Sequence, residues 1–250
     1  PSHRRAFGDI VACRTAAMGG QLRACADCGH LHYVYHSCRN RACAQCHGEQ
    51  TRRWMTARAG DLLPVTYFHV VFTLPQELRE LARTHQESVL SALMTSAVGA
   101  LQVLAADPRF AGGSLGVLVV LQTWTRALVW HPHVHCLVPG VVLQADGRFR
   151  VLTGEFLVPV KALSTVFRAK FAEQLRRCLP EAELPAAVWE KSWVVFARPC
   201  LEGPRNVLRY LAAYVCRGPL SDRRILGVRD SRVQVQYRDS GTGRARIAHL

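Results

Sequence analysis

Lysine is nearly absent. Lys161, Lys170 and Lys191 are the three in 250 residues, so the 32 basic side chains are almost all arginine. Acidic residues are also few, 18 against 32, and the formal net charge is +14. This balance excludes an acidic, solvating chain and points to a polyanionic partner. Arginine forks match phosphate geometry in a way that an ammonium point charge does not. No apolar run reaches eighteen residues, which argues against a bilayer-spanning helix and a membrane partner. No signal-peptide pattern, internal repeat or low-complexity segment is visible, which argues against a secreted, solenoid or disordered chain. The chain opens on Pro1 without a methionine and closes on a strand-like pattern, as expected of a fragment. At 49% hydrophobic residues it has enough apolar content for one large domain or two small ones, with no need of disulfide staples.

Ten cysteines are present, and five of them crowd into residues 25–46. Cys25-x-x-Cys28-Gly29 opens that stretch and Cys43-x-x-Cys46 closes it, with fourteen residues between the pairs. Two such knuckles let backbone turns aim four thiolates at one tetrahedral Zn²⁺. The spacing therefore predicts a structural zinc site held by Cys25, Cys28, Cys43 and Cys46 in a reducing compartment. Cys38 is a spare candidate, as are His30, His32, His36 and His47. Cys13, in a basic stretch expected to be helical from Arg4 through Met18, reads as a small buried hydrophobe. Arg39, Arg41, Arg52 and Arg53 surround the thiols, and with the net charge they read as a DNA-docking collar.

Beyond residue 60 the pattern changes. Thr66 to Leu74 is β-branched and aromatic and reads as a buried strand, with His69 as a core histidine and Pro75 as its stop. Apolar positions from Leu78 to Leu104 follow helical spacing, in one long helix or two. Val117–Thr125 and His133–Leu143 read as an antiparallel strand pair, and Asp146-Gly147 as a hairpin turn. Leu163, Phe167, Phe171 and Leu175 repeat every four residues, a helix expected to be capped near Ser164. Ser192–Ala197 reads as a strand, Pro204 opens a last helix, and Val233–Tyr237 with Arg244–Ala248 reads as a terminal hairpin. The expected fold is α+β, helices packed on an antiparallel sheet. Domains are expected at 1–60, a zinc-binding and DNA-docking module, and 61–250.

Two motifs carry chemistry. His133 and His135 stand two apart in a strand, so their imidazoles share a face. Two neutral imidazoles can hold Mg²⁺ or Mn²⁺ if an oxygen ligand joins them. Tyr210 and Tyr214 stand at i, i+4 on the last helix, one turn apart on one face. A tyrosine hydroxyl can attack a phosphodiester and form a phosphotyrosine, given a cation or base to assist an oxygen of pKa near 10. Arg209 and Arg217 flank the pair as candidate DNA contacts.

Four stretches resemble a known family in order and spacing: Tyr33-Val34-Tyr35-His36-Ser37-Cys38-Arg39-Asn40-Arg41, Leu62 through Pro75, His131 through Gly140, and Val207-Leu208-Arg209-Tyr210-Leu211. The resemblance is to the two-tyrosine transposases of rolling-circle insertion sequences, the group named after insertion sequence ninety-one, which belong to the HUH endonucleases. It implies a ferredoxin-like sheet whose central strand carries the histidine pair, preceded by a small four-cysteine zinc module. It also implies nicking and strand transfer of single-stranded DNA in the bacterial cytoplasm, in association with the nucleoid. His133 and His135 would hold the catalytic Mg²⁺ or Mn²⁺. Tyr210 and Tyr214 would each form a 5′-phosphotyrosine, and Cys25, Cys28, Cys43 and Cys46 would bind zinc.

The chain departs from the family pattern at three places. Arg126 stands where relatives tend to carry a polar amide, seven residues before His133 and expected across the strand pair. Val215-Cys216-Arg217 replaces a favoured Thr-His-Arg, and Gly140-Val141-Val142 replaces a glycine triplet. A guanidinium cannot ligate a cation. The alternative expectation is therefore a catalytically decayed, zinc-containing DNA-binding remnant.

Overall fold

The computed structural model describes residues 2–40, 43, 45–154, 157–200, 203–216, 224–239 and 241–250. The chain divides into two compact units, Pro1–Gly60 with Ala212–Leu250, and Asp61–Leu211.

In the first unit, α1 (Ser2–Ala12) is followed by a single tight turn at Ala16–Met18, so the expected helix stops six residues early. Arg14 takes a left-handed conformation there, φ 59°. β1 (Gly20–Ala24) and β2 (Leu31–Tyr35) form an antiparallel hairpin, paired from Gly20↔Tyr35 at its base to Ala24↔Leu31 at its tip. Gly20 is required at the base: a Cβ on it would lie 2.6 Å from the Val34 carbonyl oxygen. α2 (His47–Gly60) completes the N-terminal part.

The second unit opens with β3 (Tyr67–Thr73). Next come α3 (Arg79–Thr84) and α4 (Gln86–Ala106), two helices broken at His85, which leaves the helical region at φ −124°, ψ 55°. β4 (Ser114–Leu115), β5 (Leu118–Trp124), β6 (Trp130–Pro139), β7 (Val141–Leu143) and β8 (Phe149–Val151) follow. Then come α5 (Val160–Cys178), the short α6 (Ala187–Glu190) and β9 (Val195–Pro199). α5 starts at Val160 behind Pro159, so Ser164 is no cap; its hydroxyl donates to the Trp193 carbonyl at 2.7 Å.

The main sheet runs β5-β6-β3-β9 and every neighbour is antiparallel. Chain order β3-α-β5-β6-α-β9 with this spatial order is the ferredoxin-like split βαβ arrangement. One face carries the core. Phe68, Val70 and Phe72 of β3, Leu74 just after it, and Val134, Cys136 and Val138 of β6 alternate onto it. They meet Val89, Leu93, Ala97 and Leu101 of α4 and Leu163, Phe167, Phe171 and Leu175 of α5. The Phe167 ring centroid is 4.8 Å from that of Phe72 and 5.3 Å from that of Trp193, the tilted contacts that aromatic quadrupoles favour. Among the described residues, α4 is the one helix long and apolar enough to cross a bilayer, with mean hydropathy 1.8. Half of that stretch is buried, consistent with a core helix.

Alternation then places His69 and Val71 of β3 with His133 and His135 of β6 on the sheet face away from α4 and α5. Gly140 ends β6 because its N–H donates to the Thr66 carbonyl at 2.7 Å, and a Cβ there would sit 2.9 Å from that oxygen. α7 (Pro204–Cys216) runs across the division between the two units. The C-terminal segment is β10 (Ile225–Arg229), β11 (Arg232–Arg238) and β12 (Ala245–His249), a three-stranded antiparallel meander rather than a hairpin. β10 lacks a clean alternation because Gly227 sits at an irregularity in its pairing.

Candidate functional site

Four thiols converge beside the hairpin base. The sulfurs of Cys13, Cys38, Cys43 and Cys46 all lie within 4.8 Å of one another. Cys13 follows α1, Cys38 follows β2, and Cys43 and Cys46 precede α2. The Sγ–Sγ distances are 3.6 Å for Cys13–Cys46 and 3.7 Å for Cys38–Cys46. Tetrahedral zinc–thiolate bonds of about 2.3 Å separate their sulfurs by about 3.8 Å, so the donor set fits zinc. The Cys38 N–H donates to Cys13 Sγ and the Asn40 N–H to Cys38 Sγ, each at 3.4 Å, bonds that favour thiolate. Burial nevertheless pushes Cys38 up to about 12, so ionising the whole set calls for a cation.

This cluster differs from the ligand set expected from spacing. Cys43 and Cys46 belong to it, but Cys25 and Cys28 do not. They are exposed at the tip of the β1–β2 hairpin. Four residue steps of about 3.4 Å put that tip roughly 14 Å from the base. Cys13 and Cys38 flank the base instead, tied by the Arg14 N–H to the His36 carbonyl at 3.1 Å. Cys38 was a spare candidate; Cys13 carried no pairing signal, being twelve residues from the nearest knuckle.

The expected arginine collar is uneven. Arg52 and Arg53 both pair with Glu49 on exposed α2, Arg53 at 2.7 Å. Arg39 is exposed in a left-handed turn, φ 51°. Arg209 is exposed on α7, while Arg41 and Arg217 lie outside the described residues. Tyr210 and Tyr214 are placed on α7 by its backbone; their side chains lie outside the described residues.

The second cluster stands on the face of the main sheet away from the helices. His133 and His135 are 9% and 3% exposed, with ring centroids 4.8 Å apart. The His133 Nδ1 is 2.7 Å from the His131 carbonyl oxygen. A carbonyl can only accept, so Nδ1 carries the hydrogen and Nε2 presents its lone pair. His135 Nε2 is 2.9 Å from the Gln122 side-chain oxygen. That amide is oriented by its own NH₂, which donates to the Trp124 carbonyl at 2.8 Å. On its other side, His135 Nδ1 is 2.9 Å from His69 Nε2. His131 lies at the start of β6, where Arg79 Nη2 donates to its Nδ1 at 2.6 Å.

Gln122 is the residue that sequence reasoning missed. It pairs directly with His133 across β5 and β6. Arg126 lies beyond the end of β5, in the turn closed by the Leu128 N–H on the Thr125 carbonyl. The expectation that Arg126 faces the histidines is thus corrected: the seven-residue offset ignored the turn, and pairing needs eleven. A polar residue after the apolar run Val117–Leu121 was the available signal.

Burial keeps this cluster neutral. It lowers His135 to about 3, with help from charge on His133 and His69. It lowers His69 to about 4, with help from Arg198, and lowers His133 as well. Neutral imidazoles are what metal ligation needs. Octahedral ligands about 2.1 Å from a cation sit about 3.0 Å from their neighbours, close to the His135–Gln122 separation. The His135–Gln122 pair thus has the spacing of neighbouring ligands on a divalent cation, and His133 stands on the same sheet face.

Two family models match separate stretches of the chain. A family model described as "Transposase zinc-binding domain" matches residues 1–74, and one described as "Putative transposase" matches residues 116–250. "Putative transposase y4qJ" of Sinorhizobium fredii is 35% identical over 257 residues, covering 95% of this chain and 65% of the relative. The transposase for insertion sequence element IS801 of Pseudomonas savastanoi pv. phaseolicola is 28% identical over 237 residues, covering 86% and 55%. The chain therefore spans between half and two thirds of the length of these relatives. A metal-bound conjugative relaxase TrwC in complex with oriT DNA is 15% identical, with TM-score 0.39, covering 52% of this chain and 54% of that one.

Proposed function

The chain belongs to the transposase family of insertion sequence ninety-one, and from that premise we propose that it nicks and joins single-stranded DNA in rolling-circle transposition. The observation that carries the reading is the convergence of His133, His135 and Gln122 on one sheet face. A bound Mg²⁺ or Mn²⁺ would polarise the scissile phosphate and stabilise charge developing on it.

The remaining roles fall to the chain's own residues. The hydroxyl of Tyr210 or Tyr214 attacks phosphorus. The new Tyr O–P bond forms as the P–O3′ bond breaks. The tyrosine proton is lost, and the 3′ oxygen leaves and takes up a proton as a 3′-hydroxyl. The second tyrosine, one helical turn away, allows a second cleavage while the first 5′ end stays attached. Neutral His133 and His135 hold the cation without competing protons. The arginine-rich surface holds the DNA backbone, so binding weakens as salt rises. Cys13, Cys38, Cys43 and Cys46 take zinc and anchor a DNA-docking module over residues 1–60. Residues 61–250 carry the nuclease, although 212–250 pack with the first sixty. Such an enzyme works where the element's DNA lies, in the bacterial cytoplasm.

The decayed-remnant reading drew on Arg126 as a missing third ligand together with Val215-Cys216-Arg217, Gly140-Val141-Val142 and the fragmentary ends. Gln122 opposite His133 supports the active reading on the first of these grounds.

The test is incubation of the zinc-loaded chain with labelled single-stranded element ends and Mn²⁺, resolved on a denaturing gel. The reading predicts a covalent adduct that disappears in the Tyr210→Phe/Tyr214→Phe double variant. A folded wild type that retains DNA yet forms no adduct would overturn it in favour of a binding protein.

A further inference from the structure

His69 has the placement of a working group rather than a core histidine. It stands on β3, where Val71 pairs with His135 and His69 pairs with Leu137, so it is the diagonal neighbour of His135. The His69 and His135 rings lie edge to edge, centroids 5.2 Å apart and planes 15° apart, with their facing nitrogens 2.9 Å apart. A chain of contacts therefore runs His69 Nε2, His135 Nδ1, His135 Nε2, Gln122 oxygen.

The hydrogens along this chain are dictated by its ends. The Gln122 oxygen can only accept, and its orientation is set by the amide's bond to Trp124. Without a cation, His135 Nε2 must therefore donate to it. His135 Nδ1 is then an acceptor, and His69 Nε2 must donate. A cation on His135 Nε2 needs that nitrogen deprotonated and the imidazole neutral, so the hydrogen moves to Nδ1. His135 Nδ1–H then needs an acceptor, and His69 Nε2 lies 2.9 Å away. His69 must shift its own hydrogen from Nε2 to Nδ1. Each imidazole loses one hydrogen and gains one, and neither changes charge. His133 has no such freedom, because its Nδ1 faces the His131 carbonyl.

We propose that His69 is a positioning residue whose Nε2 changes from donor to acceptor as His135 takes up the catalytic cation. A carboxylate at this place would only accept, and lysine or arginine would only donate. Imidazole does either at one atom without a change of charge. Partners of this kind orient a ligating histidine, and their loss weakens metal binding by about 10- to 100-fold. The inference rests on reading His133 and His135 as metal ligands.

The experiment uses the full zinc-loaded chain and no DNA. Mn²⁺ binding is titrated by electron paramagnetic resonance for wild type, His69→Phe, His69→Gln and His133→Ala. Imidazole ¹⁵N–¹H spectra of the wild type are recorded with and without diamagnetic Mg²⁺. His69→Phe should bind Mn²⁺ about 10- to 100-fold more weakly. His69→Gln, whose amide offers either an oxygen or an NH₂, should stay within a few-fold of wild type. Mg²⁺ should move both His69 and His135 from the Nε2–H to the Nδ1–H pattern. Wild-type affinity in His69→Phe, or a His135 change without a His69 change, overturns the proposal while leaving the metal site in place. Undiminished affinity in His133→Ala overturns the metal site itself and the proposal with it. The spectra need no variant, so a misfolded His69→Phe leaves the proposal open to refutation.

Discussion

Gln122 stands directly across from His133 in the antiparallel pair of β5 and β6, and its side-chain oxygen lies 2.9 Å from His135 Nε2. On the proposed reading, Gln122 adds an oxygen donor to the two imidazoles of a hard-cation site. Gln122→Leu keeps the volume and removes the oxygen. It should weaken Mn²⁺ binding and slow adduct formation by one order of magnitude or more. Gln122→Glu supplies a charged oxygen and should tighten Mn²⁺ binding. Equal Mn²⁺ titrations for wild type and Gln122→Leu would remove Gln122 from the site.

The thiol cluster makes a separate prediction about zinc. Cys13→Ser and Cys38→Ser should each lower zinc per chain, measured by atomic absorption after dialysis, and loosen residues 1–60 to protease. Cys25→Ser and Cys28→Ser should leave the cluster's zinc in place, because those thiols sit exposed at the hairpin tip. Loss of the same zinc from Cys25→Ser would return the assignment to the paired-knuckle set.

Acid should destabilise the metal-free histidine site. Burial lowers His69 and His131 to about 4 and His135 to about 3 in the folded chain. The unfolded value is about 6.5, so between about pH 6.5 and 4 the unfolded state binds more protons. Stability is therefore fully present above pH 6.5 and falls as pH drops through that window. Urea midpoints at pH 7.5, 6 and 5 without added divalent cation should decline in that order. A flat series would mean that the histidines are solvated.

Phe167 is the core position with the sharpest expectation. It is fully buried and touches Phe72, Phe171 and Trp193 across α5, β3 and the loop before β9. Phe167→Ala should cost about 3–5 kcal/mol, read as a shift in the urea midpoint.

Much of this arrangement was legible in the residues. Alternation in Thr66–Leu74 and His133–Val138 and the four-residue repeat of Leu163, Phe167, Phe171 and Leu175 set strands, helix and core face. His133 and His135 share a face for the same reason. What the residues did not show depended on pairing across sequence distance. Spacing in a single strand cannot reveal where its partner's turn begins, so Arg126 stood in for Gln122. Two neat knuckles drew attention from Cys13, which reaches the cluster because the hairpin folds back beside it. His69 read as packing, because nothing along β3 shows that His135 leans towards it.

The most direct test of the account is to map the protein–DNA linkage. The zinc-loaded chain is incubated with single-stranded element ends and Mn²⁺, trimmed with nuclease and protease, and the modified peptides are identified by mass spectrometry. The account predicts a 5′-linked nucleotide on Tyr210 or Tyr214, formed only with divalent cation and strongly reduced in Gln122→Leu. A linkage elsewhere, or none in a folded chain that still binds DNA, would contradict it.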